Sequence, residues 1–133
     1  MRPRRRGSPA EWMYRANSDL ALARSPVREC IALEDLCFHA QQAVEKSIKG
    51  VLVSRVVLFP KTHNLDVLLN LLPSGIPIPP EDEQVRRLTE YAVVSRYPGM
   101  DEPVTEEEYR EAVRLAEAVV KWAEDILKEA DAL

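Results

Sequence analysis

Apolar residues recur at spacings of three and four along most of this chain, the period of a helix with one buried stripe, and the alternation of a half-buried strand is absent. The first stripe is Trp12, Met13, Ala16, Leu20 and Ala23. It follows Ser8-Pro9-Ala10-Glu11, a helix start in which Ser8 caps, Pro9 suits the first turn and Glu11 closes a capping box, so a helix is predicted from about Pro9 to Arg24. The longest pattern, from about Val27 or Cys30 to Arg55, puts Leu33, Leu36, Cys37, Ala40, Val44, Ile48, Val51 and Leu52 on one face and predicts the central core helix. A short helix is expected from Thr62 to about Leu72, before a stiff loop containing Pro73, Gly75, Pro77, Pro79 and Pro80. A fourth runs from near Pro80 through Val85, Leu88, Tyr91, Ala92 and Val93 until Arg96-Tyr97-Pro98-Gly99 stops it. The capping box Thr105-Glu106-Glu107-Glu108 opens a fifth, to about Ala130, with Tyr109, Ala112, Val113, Ala116, Val119, Val120, Ala123, Ile126 and Leu127 on its stripe.

Three long helices and short links predict an all-α, antiparallel four-helix-type up-and-down bundle with an additional short helix. Val119 and Val120 with Trp122 close by widen the apolar arc of the fifth helix, from which a homodimer interface is expected.

At 133 residues the chain suits one domain, expected at 8–133, after an arginine-rich arm at 1–7 that reads as disordered. The formal charge is −4; without Arg2, Arg4, Arg5 and Arg6 it falls to −8. A body this acidic repels phosphate backbones at long range, so DNA binding is not expected, and nucleic-acid contact would need a local basic patch or the arm. Cys30 and Cys37, read within one helix, stand about 10 Å apart along its axis and cannot pair as a disulfide. Free thiols and the lack of an apolar run suited to a leader or a membrane span point to the cytoplasm. With only His39 and His63, and no cysteine ligand set, neither a metal nor a cofactor is expected.

Two segments remain. In His39-Ala40-Gln41-Gln42-Ala43-Val44-Glu45-Lys46-Ser47-Ile48-Lys49, the residues Gln42, Glu45, Lys46 and Lys49 form a polar strip beside the apolar face. It reads as a solvated strip with a Glu45–Lys49 pair or a polar dimer seam, or alternatively as a surface for a phosphate or nucleotide. In the second, Arg96 at a helix end either satisfies the last carbonyls or projects into a groove where its guanidinium suits a phosphate.

These segments, in this order, resemble the HEPN superfamily, named for nucleotide binding in higher eukaryotes and prokaryotes. Trp12 with Asp19-Leu20, the run from Cys37 to Lys46, Phe59-Pro60-Lys61-Thr62-His63-Asn64-Leu65, and Arg96-Tyr97-Pro98 carry the resemblance, which spans Glu11 to about Ala130. It implies a helical bundle that commonly dimerises and, in prokaryotes, is paired with a minimal nucleotidyltransferase, often as a toxin–antitoxin system. It also implies, for many members, a metal-independent ribonuclease built on an arginine followed after four to six residues by a histidine. Arg96 is the candidate arginine, but the histidine positions hold Asp101, Glu102 and Pro103, and Tyr97 does not occupy the place of the tyrosine that some partner enzymes modify. Without that imidazole, acid–base attack by an RNA hydroxyl loses its usual agent. The expectation is therefore a dimerising partner subunit, leaning away from an enzyme, that contacts a nucleotide, RNA or its partner through Gln42, Lys46, Lys49, His63, Arg96 and Tyr97. Two alternatives stand beside it: a divergent ribonuclease using Arg96 with Asp101, Glu102 or His63, and a purely structural interaction module.

Overall fold

A computed structural model describes residues 4–27, 29–92 and 102–133 of the chain. Helix α1 covers Pro9–Ala23, where Ser8 Oγ accepts from the Glu11 amide at 3.2 Å. The Glu11 carboxylate closes the cap one residue earlier than expected, accepting from the Gly7 amide at 2.9 Å. On the arm, the Arg4 guanidinium lies 3.8 Å over the Tyr14 ring and the Ser8 amide donates to Arg5 O.

Helix α2, Leu33–Ser54, begins later than its apolar pattern suggests, because Ala32 stands at the cap with no side-chain acceptor. Cys30 therefore precedes the helix and is exposed, while Cys37 is buried within it. Helix α3 contracts to Leu65–Asn70, capped by Asn64 Oδ1 on the Asp66 amide. The expected fourth helix is broken: α4 spans only Asp82–Arg87 and tightens into a 3-10 turn over Leu88–Ala92. The expected continuation through Val93 to the stop at Gly99, with Arg96 and Tyr97, lies outside the described residues. Helix α5, Glu106–Glu129, starts at the full capping box between Thr105 and Glu108.

The result is an all-helical bundle with no strand among the described residues, and α2 is its axis, packed on α1, α5, α3 and the 3-10 turn. Pro9, at the start of α1, approaches Gly50 near the end of α2, so α1 and α2 are antiparallel. The Tyr109 hydroxyl donates to Ala23 O at 2.6 Å and the Val104 amide to Glu34 Oε2 at 2.7 Å. Those bonds place the start of α5 beside the end of α1 and the start of α2, so α5 runs with α2, as an up-and-down bundle requires.

Ile48, Leu52, Leu65, Leu68, Val119 and Leu127 are fully buried where these helices meet. Truncating one such side chain to Ala costs about 2–5 kcal/mol, from lost transfer energy and the cavity left behind. Gly50 permits the close α1–α2 contact, since a Cβ there would stand 3.2 Å from Trp12 Cβ.

The wide arc of α5 is used within the chain. Val119, Val120 and Trp122 are all buried, and the Trp122 indole N–H donates to Pro77 O in the proline-rich loop at 2.9 Å. Trp122, part of the apolar arc from which a dimer interface was expected, thus holds that loop. No helix among the described residues is long and apolar enough to cross a membrane.

Candidate functional site

Two buried carboxylates organise the polar face of α2. Asp19, on the buried side of α1 one position before Leu20, accepts from Lys46 Nζ at 2.5 Å and lies 2.9 Å from His39 Nδ1. Glu45, on α2, accepts from Lys49 Nζ at 2.9 Å and lies 2.7 Å from His63 Nδ1, on the loop between α2 and α3. Each carboxylate thus holds one ammonium and one imidazole. The positions His39, Gln42, Lys46 and Lys49 follow at steps of three, four and three, which keeps them on one side of the helix.

Glutamines complete the second cluster. Gln41, fully buried, donates to His63 O at 3.1 Å and to Glu45 Oε1 at 3.3 Å, and it accepts from Gln42 Nε2 at 2.7 Å. His63 is therefore held at both its backbone carbonyl and its ring. The Lys49 ammonium also lies 5.7 and 5.6 Å from the Trp12 and Phe59 ring centres, which pack edge to face 6.2 Å apart.

Burial corrects the sequence reading of this strip. A solvated strip was one expectation, yet Gln42, Glu45 and Lys49 are 8%, 3% and 7% exposed. The Glu45–Lys49 pair exists, but in a buried seam where every buried side-chain nitrogen and oxygen is hydrogen-bonded. A position beside the apolar stripe became interior because α1 and the His63 loop both cover it. Of the six residues expected at the site, Gln42, Lys46, Lys49 and His63 come together on this face; Arg96 and Tyr97 lie outside the described residues. Asp19 and His39 were not among the site residues expected from sequence, although an acid between Ala16 and Leu20 on an apolar stripe is the signal that could have marked Asp19.

The bonding pattern sets the chemistry. An ionised carboxylate only accepts, so the Nδ1 atoms of His39 and His63 carry the proton and, in the neutral ring, Nε2 presents a lone pair. The His63 side chain is 64% exposed, those of His39 and Lys46 32% and 26%. Solvent therefore meets two oriented imidazoles and an ammonium. Lys46 also lines a hollow of about 260 Å³ with Gly7, Glu11, Trp12 and Arg15. Among the described residues no three His, Cys, Asp or Glu side chains are grouped to hold a metal ion.

The displaced pKa values lie elsewhere. Arg114 holds the Glu81 and Glu111 carboxyls below their usual range by hydrogen bonds, with its own guanidinium shifted up in return. Burial pushes the Tyr109 phenol up.

An all-α bundle around a long polar-edged helix defines a class of small helical domains, and comparison with known proteins makes the class specific. The HEPN domain family profile matches residues 9–126, and the chain belongs to that family. The fold is similar to that of the crystal structure of TT1696 from Thermus thermophilus, at 28% identity and a TM-score of 0.75, covering 91% of this chain and 99% of that one. It is also similar to ST0689, an archaeal HEPN homologue, at 26% identity and a TM-score of 0.67, covering 89% and 96% of the two chains. No curated protein matches the sequence.

Proposed function

We propose that this HEPN protein is a dimerising binding subunit that works beside a minimal nucleotidyltransferase, in a pair of the toxin–antitoxin type, and receives a phosphate-bearing ligand, a nucleotide or RNA, on the polar face of α2. The observation that carries the reading is the pair of buried carboxylates, each tied to an ammonium and an imidazole. Apolar residues of similar volume would fill a seam between helices at lower desolvation cost, so charges retained there point to a use for the groups they orient. Lys46 supplies the positive charge, His39 and His63 supply oriented ring edges, and Gln41, Gln42 and Lys49 hold Glu45 in place. Arg96, with Tyr97 beside it, remains the sequence candidate for a second cationic contact.

Titration of the protein with nucleotides and short RNA tests the binding reading: saturable binding is expected, weakened about tenfold or more by Lys46→Ala or His63→Ala. No binding to any of these probes rejects it. Co-expression with the neighbouring gene tests the partnership, which fails if no nucleotidyltransferase co-purifies.

One observation favours a second reading, the divergent ribonuclease. His63, anchored through Nδ1 on Glu45, has the arrangement of a general base, so it can take a proton from a ligand hydroxyl while a cation stabilises the developing phosphorane charge. RNA cleavage in chelator that disappears in both His63→Ala and Arg96→Ala supports this reading; equal cleavage by wild type and variants rejects it.

A further inference from the structure

Arg15 stands on α1 with an acid one turn away on either side, Glu11 four residues before it and Asp19 four residues after, the spacing at which helical ions pair. It pairs with neither. The Glu11 carboxylate accepts from the Gly7 amide at 2.9 Å, and Asp19 is taken by His39 and Lys46 from α2. Arg15 is exposed, has no ion pair among the described residues, and lines the hollow of about 260 Å³ together with Lys46, Trp12, Glu11 and Gly7. A guanidinium and an ammonium from two helices thus share one concavity. Both have N–H donors to spare, since Lys46 gives one of its three to Asp19.

The positive charge continues along the arm before α1. That arm is anchored at three points: the Arg4 guanidinium lies 3.8 Å over the Tyr14 ring, the Ser8 amide donates to Arg5 O at 3.0 Å, and the Gly7 amide is held by Glu11. Gly7 belongs to the wall of the hollow, so Arg6 and Arg5 follow one and two residues from it, exposed and without an ion pair among the described residues. In a chain of net charge −4, Arg4, Arg5, Arg6, Arg15 and Lys46 gather at this end of α1. A local basic patch of this kind is what an acidic body requires to hold a phosphate backbone against its own long-range repulsion.

We propose that the hollow is a phosphate subsite for a single strand of RNA. Arg15 grips one backbone phosphate through its planar fork, Lys46 adds a point charge to the same group, and Arg6 and Arg5 neutralise the phosphates that follow. A strand is favoured over a free nucleotide because the cations run on past the hollow: a row of cations matches a row of phosphates, whereas a single nucleotide engages only the first. This inference rests on the RNA binding in the proposed function and extends its contact surface from α2 to α1 and the arm.

Titration of the full chain with labelled oligouridine at several salt concentrations, read by fluorescence anisotropy, tests it. Arg15→Gln is expected to weaken binding about tenfold and to lower the slope of log affinity against log salt by about 0.7, the loss of one single-strand phosphate contact. Arg5→Gln with Arg6→Gln lowers the slope by about twice as much. Circular dichroism stays unchanged, because these side chains are exposed and bonded to no other. Arg110→Gln makes the same charge change at the start of α5, beside the far end of α1, and leaves affinity and slope nearly as in wild type. RNA binding that Arg15→Gln and Arg110→Gln weaken alike overturns the subsite and leaves the proposed function on the polar face of α2. A slope insensitive to the arm substitutions, or a mononucleotide bound as tightly as the strand, overturns the strand. An absence of RNA binding rejects this inference together with the RNA binding on which it rests.

Discussion

The outer face of α5 and the seam between α1 and α2 both carry many charges, arranged in opposite ways. On α5 the ions are exposed, and three of the pairs join neighbours three or four residues apart, Arg110 with Glu106, Arg114 with Glu111 and Lys121 with Asp125. Such pairs contribute at most a few tenths of a kcal/mol each and follow from helical geometry alone. In the seam, Asp19 reaches His39 and Lys46 across two helices, and Glu45 reaches His63 on a loop. Neither charge count nor partners from other elements separate the two regions, since Arg114 reaches Glu81 and Glu117 reaches Arg24 from α5; burial does.

The largest effect that tests this contrast is Glu45→Ala. Removing the carboxylate leaves the Lys49 ammonium buried without its partner, and chemical denaturation should show a loss of about 3–5 kcal/mol. A loss as small as that of an exposed α5 pair would erase the distinction. Next comes Tyr109→Phe, which removes the hydroxyl bonded to Ala23 O and should cost about 1 kcal/mol. The same phenol sets an alkaline limit. Its folded pKa is raised by burial, so the contribution is complete below the unfolded value near 10 and is lost as pH climbs through the folded one, visible as a drop in Tm in wild type that Tyr109→Phe lacks.

Val56→Gly should change stability in the opposite direction. A β-branched residue at φ 58° is strained by about 1–2 kcal/mol, partly offset by the added chain entropy of glycine, so a net gain of under about 1 kcal/mol is expected in thermal melts. The smallest effect is Arg114→Ala, which should lower Tm at neutral pH only slightly, because its pairs with Glu81 and Glu111 are exposed. Because Arg114 lowers the folded pKa values of Glu81 and Glu111, their contribution is present above about pH 4.5 and lost as pH falls through the folded values. The variant should therefore narrow the acid sensitivity of Tm slightly, and a large neutral-pH effect would contradict the ranking.

Sequence legibility divides along the same line. Helices α1 and α5 were readable because Ser8 and Thr105 each cap an amide three residues further on, information that is local. The start of α2 was not, because Ala32 leaves no mark there, and the break after Arg87 was not, because the apolar spacing from Val85 to Ala92 suits α and 3-10 turns alike. Lys46, Lys49 and Gln42 were visible from their helical spacing. The burial of Lys49 and Gln42 was not, since it depends on α1 and on a loop about 20 residues away, and Asp19 and His39 acquire meaning only when two separate helices meet.

Gly50 gives that meeting a dimension. It lies one turn beyond Lys46, where α1 rests so close to α2 that a Cβ would stand 3.2 Å from Trp12 Cβ, tighter than an ordinary contact. The missing side chain acts as a gauge block: it sets the spacing at which an aspartate on one helix can reach a lysine and a histidine on the other. A methyl group there would wedge the helices apart by a few tenths of an ångström, and the misalignment would appear first in how the imidazole and ammonium are aimed, while the apolar core could still absorb it.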